Sequence, residues 1–237
     1  MTPPLVLVPG HWLGGWAWDE VAAALQARGD LVAPVTLPGL ESAGAGRAGL
    51  TLEDHVRALL AVVDRLPHPV VLVAHSGGGV VATVAADRVP HQVRRLVFVD
   101  SGPHANGRPY DPDLDPDVVE VPLPSWEDLR AGGVSLDGLD DDRLATFRER
   151  AVPHPAGPLR EPVALTSQAR PALPVTEVCA SFTGSQVREM LAAGVPMFQP
   201  LADYADVTYV DLPTGHWPMW SRPDDLADVL HAEAARP

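Results

Sequence analysis

The chain has no lysine: all 17 of its basic residues are arginine, and 31 acidic residues leave a formal net charge of −14. A surface of that sign repels phosphate backbones and anionic headgroups, so nucleic acid and membranes are excluded as partners. Cysteine occurs once, at Cys179. One thiol can form no internal disulfide and no cysteine zinc site, and nothing demands an oxidising compartment. No apolar run reaches the roughly 18 residues of a membrane span. Met1-Thr2-Pro3-Pro4 also lacks the basic region of a secretory leader, so the expected location is cytoplasmic. Neither G-x-G-x-x-G with a downstream acid nor G-x-x-x-x-G-K-[ST] occurs, and the expected complement of cofactors and metals is none. The expected partner is a small-molecule substrate, and the composition is compatible with a homodimer.

What is present suits one folded domain. The 237 residues are 46% hydrophobic and 20% charged, enough to bury a core. Short apolar runs at Leu5–Val8, Leu31–Val35, Val70–Ala74, Arg95–Val99, Val175–Ala180 and Thr208–Leu212 read as strands covered on both faces. Between them, helical periodicity marks Trp16–Arg28, Thr51–Arg65, Gly77–Arg88 and Pro223–Ala235. The alternation predicts an α/β fold with a mostly parallel central sheet of about six strands and helices on both faces. Residues 101–174 break the rhythm. They are rich in Pro and Asp and far longer than the usual connection of roughly 4–6 residues, so they read as an insertion with short helices at Ser125–Gly132 and Asp140–Val152. The core is then residues 1–100 together with 175–237.

The stretch Val70-Val71-Leu72-Val73-Ala74-His75-Ser76-Gly77-Gly78-Gly79-Val80-Val81 carries the most chemistry. A buried strand runs through small-x-Ser-x-small directly into a helix, which is the setting of a nucleophile elbow. In such a turn the residues two before and two after the serine must be small for strand and helix to pass, and Ala74 and Gly78 are. A serine hydroxyl needs a base, and of the nine histidines His216 has the favoured position. It lies in the Pro/Gly loop Leu212-Pro213-Thr214-Gly215-His216-Trp217-Pro218 between the last strand and the last helix. For His55, His68, His91 and His231 the preferred reading is a surface or satisfied core residue.

In these features, and in their chain order, the sequence resembles the α/β-hydrolase superfamily over nearly its whole length. The resemblance makes Leu5–Val8 the family's third strand, omits the two preceding antiparallel strands, and makes 101–174 a cap insertion after the sixth family strand. It also implies that Val8-Pro9-Gly10-His11-Trp12-Leu13-Gly14-Gly15-Trp16 is the oxyanion loop, with backbone donors at His11 and Gly77. Pro9-Gly10 stands where many relatives have His-Gly, which leaves the register of that donor open by one residue. Family members most often carry the triad acid after the seventh strand, but Val178-Cys179-Ala180-Ser181 offers no carboxylate. Some relatives place it at the end of the sixth, where Asp100 stands. Asp100 could instead cap the turn into Ser101-Gly102, and Asp203, Asp206 and Glu177 are weaker candidates.

The resemblance implies a serine hydrolase that cleaves a small to medium apolar carboxylic ester or lactone through an acyl-enzyme on Ser76. Trp16-Ala17-Trp18 points to the methylesterase and hydroxynitrile-lyase branch. The expected substrate contacts are Trp12, His75, His104, Trp126 and Phe147, with Tyr110 and His154 as further lining candidates. The imidazoles of His11 and His75 either line the pocket or pack structurally. Rival readings are a lyase or cyclase of a natural-product pathway, or a catalytically silent ligand-binding receptor. A lyase of the plant type wants a pocket lysine, which this chain cannot supply.

Overall fold

Runs of valine and leucine without polar interruption form strands that are buried on both faces. The computed structural model describes residues 2–236. Its strands are β1 (Leu5–Val8), β2 (Val32–Pro34), β3 (Val70–His75), β4 (Val93–Val99), β5 (Glu120–Val121), β6 (His154–Pro155), β7 (Val175–Cys179) and β8 (Val207–Asp211). Six of them form one parallel sheet in the order β2-β1-β3-β4-β7-β8, while β5 and β6 pair antiparallel on their own. The six central strands match the sequence expectation to within two residues at each end.

The alternation of side chains divides the core in two. Val6, Val8, Leu72, Ala74, Leu96 and Phe98 point into one layer, and Leu5, Leu7, Val71, Val73, Val97 and Val99 into the other. Helices α1 (Asp19–Ala27), α2 (Leu52–Val63) and α3 (Gly78–Arg88) cover the first half of the sheet, α1 on the second layer and α2 and α3 on the first. Residues 78–87 of α3 are buried throughout, which explains their mostly small and apolar character; the two polar members, Thr83 and Asp87, are hydrogen-bonded.

The 101–174 segment adds no strand to the main sheet. It carries α4 (Trp126–Ala131), α5 (Asp141–Arg150) and α6 (Gly157–Arg160). Buried Arg47 holds it to the core by donating to the carbonyls of Ser42 and Pro153 at 2.7 Å each. Buried Asp87 holds its far end by accepting from the backbone N–H groups of Thr166 and Ser167. After the segment come α7 (Gly184–Ala192), α8 (Pro218–Ser221) and α9 (Pro223–Ala235). Periodicity does not single out α7, because Val187 is its only buried side chain of any size. Among the described residues no helix is long and apolar enough to cross a membrane.

Topology fixes where a site can form. From β1 the chain moves outward to β2, then returns to the other side of β1 as β3. The strand order therefore reverses between β1 and β3, and their carboxyl ends open a crevice there. The loop after β1 holds His11, and the turn after β3 holds Ser76.

Candidate active site

Ser76 closes a tight turn between β3 and α3 with φ at 49°. Only three non-glycine residues among those described have positive φ: Trp12, Ser76 and Asp100. Each lies just beyond a parallel strand at the crevice, and backbone held in so sparsely populated a region collects at functional sites. The turn survives because its neighbours have no side chain. A Cβ on Gly78 would come within 2.6 Å of the Pro9 carbonyl oxygen, and one on Gly77 within 1.9 Å of the His11 ring.

The Ser76 hydroxyl donates to His216 Nε2 at 2.8 Å, and His216 Nδ1–H donates to Asp100 Oδ2 at 2.6 Å. An ionised carboxylate can only accept, which puts the imidazole proton on Nδ1 and leaves the Nε2 lone pair facing Ser76. Burial works to raise the Asp100 pKa, but hydrogen bonds from His216 and Ser181 outweigh it and hold the carboxyl below its ordinary 3.8. The loop after β7 supplies those bonds. Ser181 donates both its N–H and its hydroxyl to Asp100 at 2.7 Å, and the Ala180 N–H lies at 3.3 Å. The slot that carries no carboxylate thus carries the donors for one from the neighbouring strand. Sequence reading missed Ser181, and only its place in that empty slot could have marked it.

The His216 loop is docked from two sides. The His216 and Gly215 amides donate to the Ser135 and Asp137 carbonyls of the 101–174 segment. From below, His75 Nε2 donates to the His216 carbonyl at 2.7 Å. The His75 ring is only 1% exposed, and burial pushes its pKa down to about 3, so it stays neutral.

On the other side of Ser76, the His11 and Gly77 amide N–H groups have no acceptor among the described residues. Two free donors beside a nucleophile can stabilise an oxyanion, an arrangement typically worth about 3 kcal/mol per donor. A small cavity beside Gly77, lined by neither Ser76 nor His216, is walled by Gly10, His11 and Gly77 from the core and by Tyr110, His154 and Leu159 from the 101–174 segment.

Five expected contacts do not border this cavity. The Trp12 indole donates to the Val121 carbonyl at 3.0 Å and so ties the loop to β5. His75 lies beneath the elbow. His104 engages the Arg108 carbonyl through Nε2. Phe147 is 1% exposed and packs edge-on against Trp217 and Trp220, so the apolar face of α5 is spent on the core. Trp126 packs on Phe147 and lies under the Arg148 guanidinium. Tyr110 and His154 do line the cavity, as does His55, which the sequence suggested was a surface or satisfied core residue. Its burial follows from the apolar stripe of α2, where it sits beside Val56 and Leu59.

Comparison with known proteins bears on the family and the fold. A carbendazim-hydrolysing esterase from a Nocardioides species is 40% identical over 98 residues, which is 40% of each chain. Methylesterase 9 of Arabidopsis thaliana is 27% identical over 95% of each chain. The chain thus aligns with about two fifths of the first of these curated relatives and nearly all of the second. Among solved structures, a pyrethroid hydrolase from Sphingobium faniae superposes with a TM-score of 0.71 at 21% identity, covering 100% of this chain and 99% of its own. An Arabidopsis methylesterase reaches 0.72 at 18%, covering 98% and 99%. The model of the alpha/beta hydrolase family matches residues 5–229, the span that contains the β3 turn, the β4 acid and the late histidine, and the chain belongs to that family.

Proposed function

We propose that the chain is a serine esterase acting on small to medium apolar carboxylic esters, lactones included. The carrying observation is the bonded chain Ser76–His216–Asp100, with the serine on a strained turn. His216 Nε2 takes the Ser76 proton as Oγ attacks the ester carbonyl, and Asp100 stabilises the resulting imidazolium. The tetrahedral oxyanion is held by the His11 and Gly77 amides. His216 then returns the proton to the departing alcohol, leaving an acyl group on Ser76. Water activated by the same imidazole releases the acid.

The 101–174 segment acts as the cap, because it supplies the Tyr110 and His154 walls of the cavity and braces the loops of Trp12 and His216. The esterase and methylesterase names of the relatives support ester cleavage. The test is intact mass after reaction with a fluorophosphonate, together with steady-state hydrolysis of p-nitrophenyl butyrate. Wild type gains one adduct and turns over, and Ser76→Ala does neither. Wild type that neither labels nor turns over would end the proposal, and labelling without ester turnover would favour a lyase or cyclase instead.

A further inference from the structure

The cavity beside Gly77 holds more polarity than ester cleavage needs. His11, His55 and His154 meet there, with His154 lying 4.5 Å from the His11 ring and 5.7 Å from that of His55. They come from three separate elements: the loop after β1, α2 and β6. Nothing in the bonded chain of Ser76 uses them.

Two of these rings are incomplete. His55 and His154 are 1% and 5% exposed, and in each the Nδ1 atom is buried without a hydrogen bond partner. His55 Nε2 faces the Pro38 carbonyl at 2.9 Å. A carbonyl can only accept, so Nε2 carries the proton and His55 Nδ1 presents a lone pair. Burial holds the pKa of both rings below the ordinary histidine value, which keeps them neutral. An unpaired buried nitrogen costs roughly 1–3 kcal/mol, so a ligand that satisfies it is favoured over one that does not. Among the described residues no three His, Cys, Asp or Glu side chains are disposed to bind a metal, and an organic donor or a water can satisfy the open nitrogen. The remaining walls are largely apolar, among them Leu37, Leu52 and Val80. The free space is about 10 Å³, close to one water-sized group.

We propose that this cavity is a specificity subsite for a hydrogen-bond donor on the substrate, a hydroxyl or N–H group received by His55 Nδ1 beside His154. This inference rests on the esterase reading, and it narrows the substrate class to esters with such a donor on one arm, reached across an apolar wall. His11 and Tyr110, whose rings are in edge-on contact with centroids 4.5 Å apart, stand with Gly77 among the walls of this cavity.

The test compares pairs of esters in which a hydroxyl replaces a methyl group. On the acyl arm the pairs are p-nitrophenyl 3-hydroxypropionate with the butyrate, and methyl 4-hydroxyphenylacetate with the 4-methyl analogue. On the alcohol arm the pair is 2-(4-hydroxyphenyl)ethyl acetate with its 4-methyl analogue. Wild type should favour the hydroxylated member of at least one pair by about tenfold in kcat/KM, the value of one satisfied buried hydrogen bond. In His55→Phe and His154→Phe that ratio should fall to within about twofold of unity. The ratio is internal to each preparation, so partial loss of folded protein cancels. Equal rates within all three pairs in wild type, or a preference that both variants retain, would show that only water occupies the site. Absence of Ser76-dependent turnover of all six esters would instead remove the esterase reading, and this inference with it.

Discussion

The histidine that faces Ser76 and the histidines that line the cavity on the other side of the turn are bonded to different degrees. On one side both nitrogens of His216 are bonded, Nδ1 to Asp100 and Nε2 to the serine, and its carbonyl is held by His75, whose own Nδ1 is buried without a partner. On the other side His55 and His154 each keep a buried Nδ1 unpaired. A network complete without ligand is preorganised, and its parts need not move when substrate arrives. A buried network left incomplete is costly unless something fills it. The bonded side suits the invariant chemistry of acyl transfer, and the unfilled side suits recognition of one substrate over another.

Breaking the bonded side should give the largest effect. Asp100→Asn keeps the shape of the side chain but cannot hold the Nδ1 proton in the same way, and the imidazole can adopt the wrong tautomer. The expected loss in kcat for p-nitrophenyl butyrate is about 10³–10⁴-fold. A loss below tenfold would mean that His216 needs no carboxylate partner. The variant should also lose an acid-dependent stability term. Because the Asp100 pKa is depressed in the fold, its contribution is present above the ordinary 3.8 and disappears as pH falls through the folded value. Next in size is Gly78→Ala, which drives a methyl group toward the Pro9 carbonyl that lies 2.6 Å from the Cβ position. Backbone cannot yield as a side chain end can, and chemical denaturation should show a loss of about 2–4 kcal/mol. An unchanged midpoint would show that the turn and the β1 loop are not in close contact.

A smaller effect separates what the sequence displays from what it hides. Ser181→Ala removes one of the donors to Asp100 but leaves two backbone N–H groups in place. A fall of about tenfold in kcat, with KM nearly constant, is the expected signature of a weakened bond to a charged group. A change confined to KM would place Ser181 in substrate binding. The elbow, His216 and Asp100 stand out in the sequence because each follows an apolar strand in chain order, where a serine, an imidazole or a carboxylate is conspicuous. The donors around Asp100 do not, because two of the three are peptide N–H groups that any residue supplies. Trp126 and Phe147 looked like pocket aromatics for a related reason. Sequence shows that a ring needs burial but not which layer buries it, and α5 presents its one buried apolar ring to Trp217 and Trp220 rather than to the crevice. The four inner strands were legible because their apolar runs answer to a single requirement, cover on both faces, while the edge strands β2 and β8 are only partly buried.

Like the Nδ1 of His75, Glu177 is an unpaired group on the bonded side, and it sharpens the comparison. It lies in β7, level with Phe98 and Tyr209, is 3% exposed, and its Oε1 has no hydrogen bond partner. Burial first, and the charge of Asp100 second, push its pKa well above the ordinary 4.5. Asp100 is pulled the other way, which favours the negative charge on the acid that faces His216. A folded chain that keeps a proton the unfolded chain releases loses stability as pH rises above 4.5, until the folded value is passed. Glu177→Gln removes this titration while keeping the shape. It should match wild type near pH 4 and be more stable by on the order of 1 kcal/mol at pH 7 and above. In a thermal scan that corresponds to about 2–4 °C for a chain of this size. A midpoint difference that stays constant from pH 4 to pH 8 would mean that Glu177 is ionised in the fold. The negative charge would then be shared with Asp100, and the unequal division that leaves Asp100 free to hold the imidazole would not exist.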